Sequence, residues 1–360
     1  MKIFRPLALI DKQRCQGNIQ SMADKLDRLD ISYRPHFKTH QSAEIGNWYR
    51  DFGISKITVS SVGMASYFSN NGWNDITIAF PATPAQFELI DELSAKINLT
   101  VFINDLHTAQ YFEKNSSHNL KVIIEIDPDF GRSGLRYDQN DQIDSIHTII
   151  DRSASLEFYG FYIHDGRTYQ CSGKNQVETA IQPAIQILNK LKSDYPGGRS
   201  CLGDTPSASL LSSFPGIDEL SPGNNIFYDL MQLEIGSCSE NEVAYAVACT
   251  VAQIKQEANE VIIHGGAVHF SKDRILQNNE EVFGIVIDLN ENGFGPVHKG
   301  RRLVRLSQEH GILRGDKEWI MNLTPGDPVF IIPAHSCLSA NLFDHYQSLS
   351  GTRIEKRILS

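Results

Sequence analysis

Between Ile31 and Ser221 the chain repeats one pattern eight times: a short run rich in β-branched and aromatic residues, then a longer stretch with apolar residues at helical spacing. The short runs are Tyr33 to Lys38, Lys56 to Ser61, Asp75 to Phe80, Leu99 to Asn104, Lys121 to Asp127, Leu156 to His164, Ser200 to Asp204 and Ile217 to Ser221. Pro84 to Leu93, Leu106 to Phe112 and Val177 to Leu191 read as helices between them, with Thr83 as an N-cap and Pro84 in a first helical turn. Eight strand-helix units in succession predict an α/β fold, a (β/α)8 barrel.

Beyond Asp229 the texture changes. Val243 to Ile254, Glu260 to Ile263, Val282 to Leu289, Leu303 to Leu306 and Pro328 to Ile332 are strand-like with little helix between them, which predicts a second, mostly β domain. The expected division is 16–230 for the barrel and 231–360 for the β domain, joined by an N-terminal strand within 1–15. A length of 360 residues with 41% apolar and 21% charged residues fits an ordinary globular chain of about two domains. No internal repeat, low-complexity tract or long linker interrupts it.

A net charge of −10 and a pI near 5.6 argue against nucleic acid and anionic membranes as partners. The N-terminal apolar run, Pro6 to Ile10, is short and lacks a small-residue cleavage site, and no apolar stretch reaches the roughly 20 residues that span a bilayer. The expectation is a soluble, cytoplasmic protein. Six scattered cysteines without a Cys-x-x-Cys pair offer neither a zinc ribbon nor a thioredoxin-like motif.

In barrels of this kind the chemistry sits at the C-terminal ends of the strands, and the unusual residues collect there. Strand one ends in Arg34-Pro35-His36-Phe37-Lys38-Thr39-His40, strand five runs into Asp127 to Gly134, and strand six ends in His164-Asp165-Gly166. Strands seven and eight are followed by Gly203-Asp204-Thr205-Pro206-Ser207 and Ser221-Pro222-Gly223-Asn224, the glycine and hydroxyl residues that a phosphate site needs. Lys38 at a strand mouth beside cationic neighbours is suited to Schiff-base chemistry, since partial desolvation would lower its amine pKa; a lone lysine reads as a solvated surface residue, and at this histidine-rich strand mouth the two readings weigh equally.

Taken together, the run Arg34 to His40, the Gly-Arg-Ser-Gly turn at Gly131 to Gly134, Ile163-His164-Asp165-Gly166 with Tyr169, and Pro333-Ala334-His335-Ser336-Cys337 resemble the D-threonine aldolase and D-serine dehydratase family, which shares the alanine racemase fold. The resemblance covers nearly the whole chain in order. It implies a pyridoxal-phosphate (PLP) enzyme acting on a D-amino acid, with Lys38 carrying the cofactor. Arg132 would face the phenolic oxygen and His164 the pyridine ring. Tyr169 would lie near the site, while Thr205, Ser207, Gly223, Asn224 and Tyr228 would hold the phosphate. Where racemase-like relatives often carry an arginine near the pyridine nitrogen, this chain has Ser221, which brings no positive charge.

His335 and Cys337 are two residues apart, so continued extended geometry would point both to one face, and imidazole plus thiolate suits Zn²⁺. The family pattern places a metal at this pair. Zinc would assist departure of a β-hydroxyl, giving a D-serine dehydratase reaction, with retro-aldol cleavage of D-threonine as the alternative. Racemisation ranks third, because no second base stands out in the β domain. A non-catalytic PLP-binding protein is the remaining reading, and relatives of that kind resemble the barrel alone. His264 and His269 either approach the metal region or line a turn. Relatives form homodimers, so a homodimer is expected.

Overall fold

The computed structural model describes residues 3–291 and 293–357. The chain divides into two compact units, one of residues 22–38 and 49–223, the other of 1–21, 39–48 and 224–360. The sequence pattern predicts boundaries at 15/16 and 230/231. Residues 39–48 go with the β-rich unit because their backbone bonds there: Gln41 O accepts from Arg357 N at 2.7 Å and His40 O accepts from the Tyr346 hydroxyl at 2.9 Å.

In the first unit the eight expected strands form one parallel sheet. Around it run Ser32–Tyr33, Glu219–Leu220, Arg199–Leu202, Leu156–Ile163, Leu120–Asp127, Asn98–Phe102, Asp75–Pro81 and Ile57–Val59. A parallel bridge between His36 and Thr58 closes the ring, with Phe37 N donating to Thr58 O and Thr58 N to Pro35 O. Strand one is thus regular only at Ser32–Tyr33, because Pro35 has no N–H for the ladder. Phe102, Ile123, Tyr162 and Cys201 form a buried cluster, with the Phe102 and Tyr162 rings 5.0 Å apart. A second polar cluster involves Arg34, only 1% exposed, whose guanidinium donates to Glu219, Asp75 and the Tyr159 hydroxyl. Ion pairs on two carboxylates offset the cost of burying that charge.

The helices begin where short polar side chains can replace the missing carbonyl acceptors. Ser61 Oγ accepts from Met64 N at 3.2 Å, and Asp105 Oδ1 from Thr108 N at 2.8 Å. At Thr83 the helix opens with a 3-10 turn, Pro84–Gln86, before Phe87–Ser94, and Gln86 Oε1 accepts the Thr83 N–H. No described helix is long and apolar enough to cross a membrane.

The second unit contains an antiparallel ring of Tyr245–Lys255, Glu260–His264, His310–Arg314, Gly293–Leu306, Gly284–Asn290 and Pro328–Pro333. Leu7–Ile10 extends it beside Tyr245–Lys255 and is followed by His345–Ser348 and Arg353–Glu355. Its core includes Leu9, Tyr228, Leu230, Val243, Ile285, Phe294 and Ile332.

Candidate active site

Lys38 is exposed at the end of strand one, where the sequence reading expected a partly desolvated amine. Two residues earlier His36 is 6% exposed, and its Nδ1 accepts the Lys38 backbone N–H at 3.4 Å. Burial pushes the His36 ring well below the ordinary imidazole range, reinforced by Lys38, His164 and Arg132. His164 behaves alike: burial, then Arg132 and Lys38, lower it to about 3. Its Nδ1 pairs with Gly203 O, so the neutral ring donates there and keeps its Nε2 lone pair. The Tyr169 ring lies 6.2 Å from that of His164, and the Tyr169 hydroxyl accepts from Thr205 N at 3.3 Å. At Gly203 the chain passes so close to Tyr162 that an added Cβ would sit 1.7 Å from its hydroxyl, so only glycine fits.

Arg132 sits in a loop shaped by Asp127, which accepts from Phe130 N at 2.7 Å and Gly131 N at 3.1 Å, and by Gly134, φ +99°, whose Cβ would meet Glu125 O at 2.8 Å. Its Nη2 is 3.5 Å from Glu125 Oε1, and Glu125, 3% exposed, also accepts from Asn104 Nδ2 at 2.9 Å and Ser133 Oγ at 2.8 Å. After strand seven Asp204 caps the short helix Thr205–Leu210, accepting from both the N–H and the hydroxyl of Ser207. Burial raises Asp204 to about 6 against those bonds. Thr205, Ser207 and Gly223 are buried.

The remaining candidates belong to the β-rich unit. Asn224 Nδ2 donates to Asp229 Oδ2 at 2.7 Å, to Ser336 Oγ at 3.1 Å and to Cys337 Sγ at 3.4 Å. Tyr228, with φ +49°, is buried in the core of this unit. The extended geometry expected through His335 and Cys337 does not continue. The strand stops at Pro333, His335 is the N-cap residue, and Ser336–Asn341 is helical, its first N–H held by Asp229 Oδ2 at 2.8 Å. The two side chains nonetheless hydrogen-bond to each other. Burial opposes charging His335, but the charge of Cys337, their hydrogen bond, Asp229 and Asp273 raise it to about 9. Asp229 Oδ2 lies 3.8 Å from His335 Nδ1, and Thr39 Oγ1, one residue beyond Lys38, is 3.2 Å from Cys337 Sγ.

Strand-end logic thus reaches Lys38, Arg132 and His164 but leaves His36, Glu125, Asp204, Asp229 and Thr39 without roles. The signal for His36 is its place in the run Arg34 to His40, two residues before Lys38. His264 and His269 meet edge-on, ring centroids 5.9 Å apart, and His269 O accepts from Ser339 Oγ of the helix that carries Cys337 at 2.7 Å.

The donor chemistry fits both implied groups. In the barrel unit, one lysine amine, one guanidinium fixed by a carboxylate and neutral imidazoles suit an anionic aromatic cofactor. His335 and Cys337 form a nitrogen-sulfur pair, and among the described residues no group of three or more His, Cys, Asp or Glu is placed to hold a metal. A metal on this pair would therefore keep positions for other ligands.

The family model "Alanine racemase, N-terminal domain" matches residues 10–230, and "Putative serine dehydratase domain" matches 244–349. The chain belongs to the D-serine dehydratase and D-threonine aldolase family of alanine racemase-like, fold type III enzymes, a class of PLP-type lyases. It is 28% identical over 365 residues to D-threo-3-hydroxyaspartate dehydratase of Delftia sp. (strain HT23), covering 96% of this chain and 94% of that one. It is 27% identical over 376 residues to D-serine dehydratase of Dictyostelium discoideum, covering 96% and 93%. A solved cysteine-to-alanine mutant of D-threo-3-hydroxyaspartate dehydratase, in the metal-free form, matches with a TM-score of 0.89 and 26% identity over 99% of this chain and 98% of that one.

Proposed function

We propose that this lyase depends on pyridoxal phosphate and a divalent metal, zinc by its donor set, and dehydrates small β-hydroxy-D-amino acids, converting D-serine to pyruvate and ammonia. The observation that carries this reading is the hydrogen-bonded His335–Cys337 pair, with Thr39, the neighbour of Lys38 in the chain, at 3.2 Å from its sulfur. When bound, the cofactor supplies an electron sink for a bond broken at Cα and the metal a Lewis acid for departing hydroxide.

Lys38 carries the cofactor and takes the Cα proton. Arg132, paired with Glu125, would hold the phenolic oxygen, and His164, its Nδ1 committed to Gly203 O, would lie against the ring uncharged. In the barrel unit Thr205, Ser207 and Gly223 would hold the phosphate, Asp204 orienting Ser207 and Tyr169 orienting Thr205, and the family resemblance adds Asn224 and Tyr228. His335 and Cys337 would hold the metal, with the Asp229 carboxylate 3.8 Å from His335 Nδ1. The names of the relatives, dehydratases of D-serine and D-threo-3-hydroxyaspartate, support a β-hydroxy-D-amino acid as substrate. A cytoplasmic homodimer belongs to the same reading.

The test is a product assay with D-serine, D-threonine and D-threo-3-hydroxyaspartate, measuring 2-oxo acid and glycine separately. Pyruvate from D-serine, lost on chelation, is the expected result. Glycine from D-threonine as the main product makes the protein an aldolase, and exchange of enantiomers without either product makes it a racemase. Cofactor bound without any turnover makes it a carrier.

A further inference from the structure

We infer that Lys356 is a positioning residue for the metal-ligand pair, clamping the far end of the short helix on which Cys337 stands. The inference rests on the proposed role of His335 and Cys337. Ser336–Asn341 has six residues, too few to hold its own conformation in water, so its direction depends on what grips its two ends.

The first end is gripped by Asp229, whose Oδ2 accepts from the Ser336 N–H at 2.8 Å and hydroxyl at 3.1 Å. At the other end Lys356 Nζ donates to Ala340 O and, at 2.8 Å, to Phe343 O. An ammonium there meets the orphan carbonyls and the negative end of the helix dipole. Lys356 is only 7% exposed and lies 5.3 Å from the centroid of the Tyr346 ring. Burial lowers it to about 8, with Asp344 opposing, so the clamp is cationic at neutral pH.

The same tail tightens the helix sideways. Arg357 N donates to Gln41 O at 2.7 Å, and Gln41 Nε2 donates to Asn341 Oδ1, the last helical residue, at 2.7 Å. The Tyr346 hydroxyl donates to His40 O at 2.9 Å, while Thr39 Oγ1 sits 3.2 Å from Cys337 Sγ. Lys356, Gln41 and Tyr346 thus hold the Cys337 helix and the 39–41 segment as one piece. A ligand whose support is removed binds metal more weakly even when the ligand itself is intact.

The experiment uses full-length holoprotein and measures zinc affinity by competition with a chromogenic chelator, alongside circular dichroism and the visible cofactor band. Lys356→Met keeps the band and the fold and weakens zinc by about 10-fold or more, while Lys356→Arg, which still meets carbonyls with a cation, recovers most of it. Zinc affinity within about 2-fold of the parent in folded Lys356→Met overturns the proposal. Should Lys356→Met not fold, Gln41→Ala takes its place: weaker zinc binding supports the clamp, and unchanged binding overturns it. Cys337→Ala separates the two readings. If it binds zinc as tightly as the parent, the metal site itself is wrong; if it loses zinc while Lys356→Met keeps it, only the clamp is.

Discussion

In the barrel unit His36 and His164 stand among cations, and burial together with Lys38 and Arg132 holds both rings uncharged, His164 down to about 3. In the β-rich unit His335 is also largely buried, yet Cys337 and Asp229 outweigh that burial and its proton is retained to about 9. One residue type is thus set to opposite charge states by its neighbours. The barrel residues gather positive charge on Lys38 and Arg132 and add neutral aromatic surface, which suits an anionic ring and phosphate. The β-unit pair presents a sulfur with negative character and an imidazole whose proton a metal can displace. In the proposed reaction the first set would serve the electron sink and the second the Lewis acid.

Removing the barrel's central cation tests the first half and carries the largest expected effect. Lys38→Ala is expected to lose the visible cofactor band and on the order of 10³-fold or more of turnover, as deletion of a base that also holds the cofactor should. Loss of a cationic neighbour also lets the His164 ring rise from about 3, readable by NMR titration. A band that survives in Lys38→Ala sinks the cofactor assignment. The β-unit half is broken separately by Cys337→Ala or by chelation, with dehydration of D-serine falling on the order of 10²-fold while the band remains. If chelation leaves pyruvate formation unchanged, the metal has no part in it.

These two halves were not equally legible in the sequence. Barrel strands buried on both faces read as short apolar runs between turn residues, so Leu156–Ile163 and Leu120–Asp127 fall within a residue of where they were expected. Lys38 and His164 became candidates for the same reason, since the strand ends of such a barrel are where its chemistry sits. The short strand Leu135–Arg136 and the 3-10 turn Gly166–Gln170 were not, because they depend on how loops settle. In the β-rich unit the pair His335 and Cys337 was found, but its geometry was not. The turn into a helix after His335 is set by Asp229, 107 residues away from Ser336, and the Thr39–Cys337 contact spans 298 residues. No local pattern encodes such partners.

A pH measurement sharpens the contrast with a smaller effect. His164 has its folded pKa depressed from 6.5 to about 3, so between those values the unfolded chain binds the extra proton. Its contribution to stability is present above pH 6.5 and is lost as pH falls toward 3. The ring is partly exposed, so the loss is on the order of 1 kcal/mol at pH 5. His164→Phe has no such titration, and its Tm is expected to fall less than that of the parent between pH 7.5 and pH 5. Equal decreases in the two proteins show that the barrel ring is not held neutral.

The smallest effect is expected where the barrel omits a charge. Ser221 Oγ lies 3.3 Å from Thr58 Oγ1, a buried pair of neutral hydroxyls, and Thr58 Oγ1 also donates to Arg34 O at 3.3 Å. Ser221→Ala removes one hydroxyl but leaves Thr58 with an acceptor, so no buried donor is orphaned and the stability cost is about 1 kcal/mol or less. The pair carries no charge, so its loss also leaves the position of the visible band unchanged. A shifted band in Ser221→Ala means that this hydroxyl, and not only the cations at Lys38 and Arg132, tunes the cofactor ring.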